Sequence, residues 1–116
     1  MGDFLHPERF PGWAERYRTQ MNFPGFGRAL HRTMLASQRA DFRSLYRTID
    51  QAAYPVLLVW GKEDAVLPIA GADRIRSLVK RTEFLVVEDA GHLPQMEQPA
   101  VFETRLLGFL RGKSAP

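Results

Sequence analysis

Two short stretches hold the residues best suited to chemistry: Trp60-Gly-Lys-Glu-Asp-Ala-Val-Leu-Pro68 and Asp89-Ala-Gly-His-Leu-Pro94. Asp64 falls four residues after Trp60, and His92 four residues after Glu88. A carboxylate set beside an imidazole fixes the ring's tautomer and stabilises the imidazolium formed when the ring takes a proton. The chemistry on offer is therefore proton transfer on behalf of a nucleophile. Asp64 on its own would equally serve as a turn or helix-cap residue ahead of Pro68. Glu63 is a rival carboxylate, read as a solvated neighbour. His6 and His31 read as surface residues, and three scattered histidines show no metal-ligand spacing.

Each stretch must be held by the apolar run before it. Val56-Leu-Leu-Val-Trp60 and Glu83-Phe-Leu-Val-Val-Glu88 have the β-branched and aromatic character of buried strands. Pro55 blocks a helix from running into the first of them. Between them, Pro68 opens a helix reaching about Lys80, with Ile69, Ala72, Ile75, Leu78 and Val79 inward. After the second, Gln98-Pro99 starts a helix whose stripe is Val101, Phe102, Leu106, Phe109 and Leu110, closed by Gly112. Strand–helix–strand predicts parallel pairing, with Asp64 and His92 in adjacent loops at the carboxyl ends of the strands. Continuous apolar strands imply burial on both faces, and so a sheet with further strands.

The first 50 residues carry no strand signal. Phe10, Trp13, Tyr17 and Met21 give one helical face, with Pro11 suited to the first turn. Phe26, Leu30 and Met34 give a second helix to about Gln38, and Phe42, Leu45, Tyr46 and Ile49 a third, which Asp41 can cap. Trp13, Phe26 and Met34 would either line a pocket or hold these helices together, and the second reading is favoured.

With these motifs in place, Pro55–Pro68, Asp89–Pro94 and Glu97-Gln-Pro99 resemble the C-terminal part of the α/β-hydrolase family. The resemblance covers residues 54–112 and, less specifically, 8–50 as the end of the helical cap over the family's pocket. It implies an α/β fold with two parts: residues 1–50 as a cap or lid remnant and 51–116 as the C-terminal part of the core. It places Asp64 at the acid position of the triad and His92 at the base position. It also makes Val66 and Leu93, beside these two, the candidates to face substrate. The family's nucleophile precedes the cap on a turn of the form G-x-S-x-G. The serines here, Ser37, Ser44, Ser77 and Ser114, have no such glycine frame. The oxyanion-hole loop expected earlier in such chains has no counterpart either. The resemblance thus implies a hydrolase represented by its C-terminal piece, inactive alone and acting on a small-molecule substrate only when completed by an N-terminal half. The alternative is a non-catalytic module that pairs through an exposed sheet edge with such a half, or with itself as a homo-oligomer.

Composition bounds the rest. The 116 residues suffice for one domain, with 45% hydrophobic and 25% charged residues. There is no cysteine, which excludes disulfides, zinc-thiolate sites and a thiol nucleophile. The net charge of +3 comes from arginines and lysines spread over several helices, without aromatic interleaving. A solvated surface explains that spread, and no nucleic-acid partner is expected. No apolar run approaches the roughly 20 residues a membrane span requires, and no signal-peptide pattern opens the sequence. No membrane partner, no cofactor and no metal are expected, and the localisation reads as cytoplasmic. Lys113–Pro116 reads as a loose tail.

Overall fold

A computed structural model describes residues 2–112; the expected tail and Ser114 lie outside the described residues. The chain divides into two compact units, Glu8–Phe42 and a second made of the residues up to Pro7 with those from Arg43 onward.

The helical unit contains α1 (Trp13–Met21) and α2 (Phe26–Arg39). Pro11 lies before α1, not in its first turn, and Trp13 begins the helix. Tyr17 and Phe26 meet edge to face with ring centroids 5.9 Å apart, which ties the two helices together. Trp13 lines a shallow recess with Arg16, Tyr17 and Gln20, while Met34 points largely into solvent. Of the three residues weighed as pocket or packing, Phe26 is thus a packing residue.

The second unit is built around a parallel pair, β1 (Val56–Gly61) and β2 (Thr82–Val87), in register from Val56 opposite Thr82 to Gly61 opposite Val87. The predicted strands are present, each displaced by at most one residue at its ends. The connection carries α4 (Ala70–Leu78). This helix begins two residues later than Pro68 and stops before Lys80. Its start is delayed because residues 64–67 are held in a turn of their own, described below. Its end is drawn off by α3 (Phe42–Gln51), whose Asp50 accepts the Lys80 amide at 2.7 Å.

Successive residues of a strand point to opposite faces. Phe84 lies under the Arg76 guanidinium of α4, 4.9 Å from the ring centroid. Glu83, next in line, pairs with Arg105 of α6 (Pro99–Leu110). Helices α4 and α6 therefore flank opposite faces of the pair. Complete burial on both faces was expected of these strands. Instead Val56–Trp60 and Thr82–Val86 are only half-buried, because among the described residues the sheet has two strands and neither face is fully roofed. Full burial is reached where the strands end: Val87 at 1%, then Ala90 at 0% exposure. Ala72 of α4 and Val79, ahead of β2, are also buried, at 0% and 2% exposure.

A four-residue helix not foreseen from the sequence, α5 (Pro94–Glu97), follows His92 and precedes α6.

Candidate active site

The acid loop leaves β1 at Gly61. A Cβ there would run into the backbone oxygens of Ala90 and Gly91, so only glycine lets the two loops touch. The loop continues the sheet for two more residues, with the Lys62 amide donating to Val87 at 2.9 Å and the Glu63 amide to Ala90 at 3.1 Å. Glu63 is more than a solvated neighbour. Its Oε2 accepts the Ala90 amide at 3.2 Å, a second stitch between the loops.

Asp64 then uses its two carboxylate oxygens for different partners. Oδ1 accepts the amides of Val66 and Leu67, each at 2.8 Å. Oδ2 faces His92 Nδ1 at 2.9 Å. Asp64 thus closes a turn with one oxygen and faces the imidazole with the other, and the first contact enables the second. Two backbone donors on Oδ1 fix the plane of the carboxylate, so Oδ2 is aimed without freedom to swing. The side chain is 4% exposed, while that of His92 is 32% exposed. Burial alone would raise the Asp64 pKa. The hydrogen bond from His92, those from Leu67 and Val66, and the charge of His92 together outweigh it, holding the carboxyl below its ordinary value.

A carboxylate can only accept, so the His92 proton sits on Nδ1 and Nε2 is left as an acceptor. That nitrogen belongs to a ring lining a recess of about 170 Å³ together with Val59, Trp60, Gly61, Asp64, Leu67 and Pro94. Trp60 is locked in place by its indole N–H, which donates to the Leu67 carbonyl at 2.8 Å. The arrangement can take a proton from a hydroxyl and return it. Val66 and Leu93 do not line this recess. Val66 is 46% exposed and contributes its amide to Asp64, while Leu93 immediately precedes α5, its carbonyl accepting the Glu97 amide at 3.1 Å.

Two further parts of the site have no strong signal in the sequence. The His92 amide donates to the Asp3 carbonyl at 3.0 Å, and Phe4 is buried at 6% exposure. Residues 3–6 therefore lie against the histidine loop. Glu97, read only as part of the entry into the last helix, is 6% exposed and accepts amides from Gly91, Leu5 and His6. The signal for Glu97 was its place five residues after His92, on a short segment bracketed by Pro94 and Pro99. Residues 3–6 are held by backbone bonds, by the buried Phe4 side chain and by His6, read from the sequence as a surface residue, whose Nε2 lies 2.6 Å from Asp89 Oδ1; no local pattern links positions so far apart in the chain.

The sequence model of the alpha/beta hydrolase fold matches residues 3–99. The chain belongs to the alpha/beta hydrolase fold family. This hydrolase-family chain is 33% identical over 76 residues to monoacylglycerol lipase ABHD6 of Bos taurus, a match covering 66% of this chain and 22% of that protein. It is 33% identical over 108 residues to the pimeloyl-(acyl-carrier protein) methyl ester esterase of Neisseria meningitidis, covering 93% of this chain and 41% of that one. Among solved structures, a thermophilic esterase from Thermogutta terrifontis superposes with TM-score 0.57 at 30% identity, over 66% of this chain and 27% of that one. The 2-hydroxy-6-oxo-6-phenylhexa-2,4-dienoate hydrolase of Rhodococcus strain RHA1 superposes with TM-score 0.73 at 25% identity, over 95% of this chain and 41% of its own. The hydrolase-family chain thus spans 22% to 41% of the length of the two curated relatives. Among the described residues, no helix is long and apolar enough to cross a membrane.

Proposed function

We propose that this chain supplies the general base, His92, and its orienting acid, Asp64, to an alpha/beta hydrolase that cleaves carboxylic esters of small molecules. The observation that carries the reading is the 2.9 Å contact between His92 Nδ1 and Asp64 Oδ2. The ester class is supported by the lipase and esterases among its relatives. In the reaction, a hydroxyl nucleophile attacks the ester carbonyl as its proton passes to His92 Nε2. The alcohol departs with that proton. The same nitrogen then takes a proton from water as its oxygen adds to the acyl carbon, and returns that proton to the nucleophile's oxygen as the bond to the acyl group breaks and the carboxylic acid leaves.

The nucleophile and the oxyanion donors come from outside these 116 residues, which hold no G-x-S-x-G turn. Without them the covalent step and most charge stabilisation are missing, and the isolated chain hydrolyses activated esters at no more than the background rate. The test is ester hydrolysis by the isolated chain, then by the same chain supplied with the nucleophile-bearing part of a relative. His92-dependent turnover in the second sample alone supports the reading. Turnover by the isolated chain that His92→Ala abolishes would refute it, as would a supplied chain whose activity ignores His92→Ala.

A second reading treats the chain as a pairing module. Its support is the two-stranded sheet, with outer edges unpaired among the described residues, and the exposed Val101, Leu107 and Leu110 of α6. Sedimentation decides it: a strictly monomeric folded species that binds no nucleophile-bearing part counts against it.

A further inference from the structure

We infer that Glu97 is a positioning residue, whose buried carboxylate ties the loop carrying His92 to residues 3–6 and so sets the direction of the imidazole. The inference rests on the reading of His92 as the base. Oε2 accepts the Gly91 amide at 2.6 Å, and Oε1 accepts the amides of Leu5 and His6 at 2.7 and 3.1 Å. Hydrogen bonds to an ionised acceptor are shorter and stronger than those between neutral groups. Three donors converge on two oxygens, and nothing among these contacts asks Glu97 to donate. The site is built for a group that only accepts.

What those donors belong to matters more than their number. Gly91 precedes His92, and the His92 amide is held in turn by the Asp3 carbonyl at 3.0 Å. The two consecutive amides that set the path of the chain into His92 are thus both pinned, one by Glu97 and one by a residue adjoining the segment that Glu97 also grips. A Cβ at Gly91 would lie 2.8 Å from Leu5 N and 3.2 Å from Glu97 Oε2, so the glycine is required by this clasp. None of the three amides belongs to the sheet. Loss of the carboxylate therefore acts on the histidine loop and spares the strands. Asp64 can aim Oδ2, but the ring meets it only if the backbone of residue 92 is fixed as well.

The experiment is proton–nitrogen NMR on the full 116-residue chain, following the His92 Nδ1–H resonance and amide hydrogen exchange in the parent, Glu97→Gln, Glu97→Asp and Asp64→Asn. In Glu97→Gln one oxygen becomes a donor facing donors. The expected result is faster exchange of the Gly91 and His92 amides by roughly 10- to 100-fold, the span of a lost charge-assisted bond. The Nδ1–H resonance is broadened or lost, while Leu58 and Val86 in the sheet keep their protection. Glu97→Asp keeps the charge but is too short to hold both sides, and shows the same pattern more weakly. Unchanged Gly91 exchange and an unchanged Nδ1–H resonance would overturn the inference. So would a proportional loss of protection throughout the sheet, or failure of both variants to fold, since either would make Glu97 a general stability element. Asp64→Asn separates the two readings. It should abolish the Nδ1–H signal with Gly91 exchange untouched, and a signal that survives it would sink the Asp64–His92 pairing and leave the clasp standing.

Discussion

The Asp3 carbonyl accepts the backbone amide of His92 at 3.0 Å, so the residue bearing the imidazole is held by a segment from the far end of the chain. Phe4, 6% exposed, anchors that segment in the core. Phe4→Ala should therefore cost about 3 kcal/mol, as truncation of a buried aromatic side chain does. Urea unfolding followed by tryptophan fluorescence measures the loss. A change under about 0.5 kcal/mol, the size typical of surface substitutions, would mean the segment is not held as described.

At the mouth of β1, Gly61→Ala pushes a methyl group into the backbone of Ala90 and Gly91. Backbone cannot move aside as a flexible side chain can. The expected cost is about 3 kcal/mol, at the upper end of overpacking penalties. Thermal unfolding reads it, and an unchanged melting temperature would contradict the close approach of the two loops.

Acid should weaken the fold through Asp64. Its folded pKa lies below the ordinary 3.8, so the unfolded chain binds more protons in the interval between the two values. The stabilisation is complete above 3.8 and is lost as pH falls through the folded value. Denaturant titrations at neutral pH and at successively lower pH should show this slope, and Asp64→Asn should flatten it. A variant as acid-sensitive as the parent would place the titrating group elsewhere.

In a form supplied with a nucleophile, Asp64→Asn should lower kcat by roughly 10⁴-fold, the loss seen when an orienting carboxylate becomes an amide that imposes the wrong ring tautomer. The amide can present its oxygen to the Val66 and Leu67 amides, which then turns its NH₂ toward His92 Nδ1. The ring answers by placing its proton on Nε2, where an acceptor is needed. Steady-state kinetics provides the measurement, and a loss under tenfold would remove Asp64 from the chemistry.

Much of this was legible in the chain. The apolar runs point to both strands because Val, Leu, Phe and Trp in succession suit a pleated surface, and Asp64 and His92 stand at a shared distance beyond those runs. The boundaries of α4 were misjudged because side-chain bonds outcompeted helix propensity at both ends: Asp64 gripped residues 66 and 67, and Asp50 took the Lys80 amide. Glu97 and residues 3–6 carry little local signal for a different reason. Glu97 and Asp3 act on backbone amides, which leave no trace in residue type, while Phe4 and the His6–Asp89 pair join positions too far apart in the chain for any local pattern to link them. The half-burial of the strands could not be read from hydrophobicity, which reports what a strand is suited to and not what covers it.

The chain leaves the sheet-bearing unit at Pro7 and rejoins it at Arg43. Residues 8–42 are therefore an insertion, entered and left from one body whose own contacts hold the register of β1 with β2 and the meeting of Asp64 with His92. None of the hydrogen bonds described above for Asp64, His92 or Glu97 has its partner in residues 8–42. Both partners of the pair, and the glycine that lets their loops touch, are therefore supplied by one and the same unit.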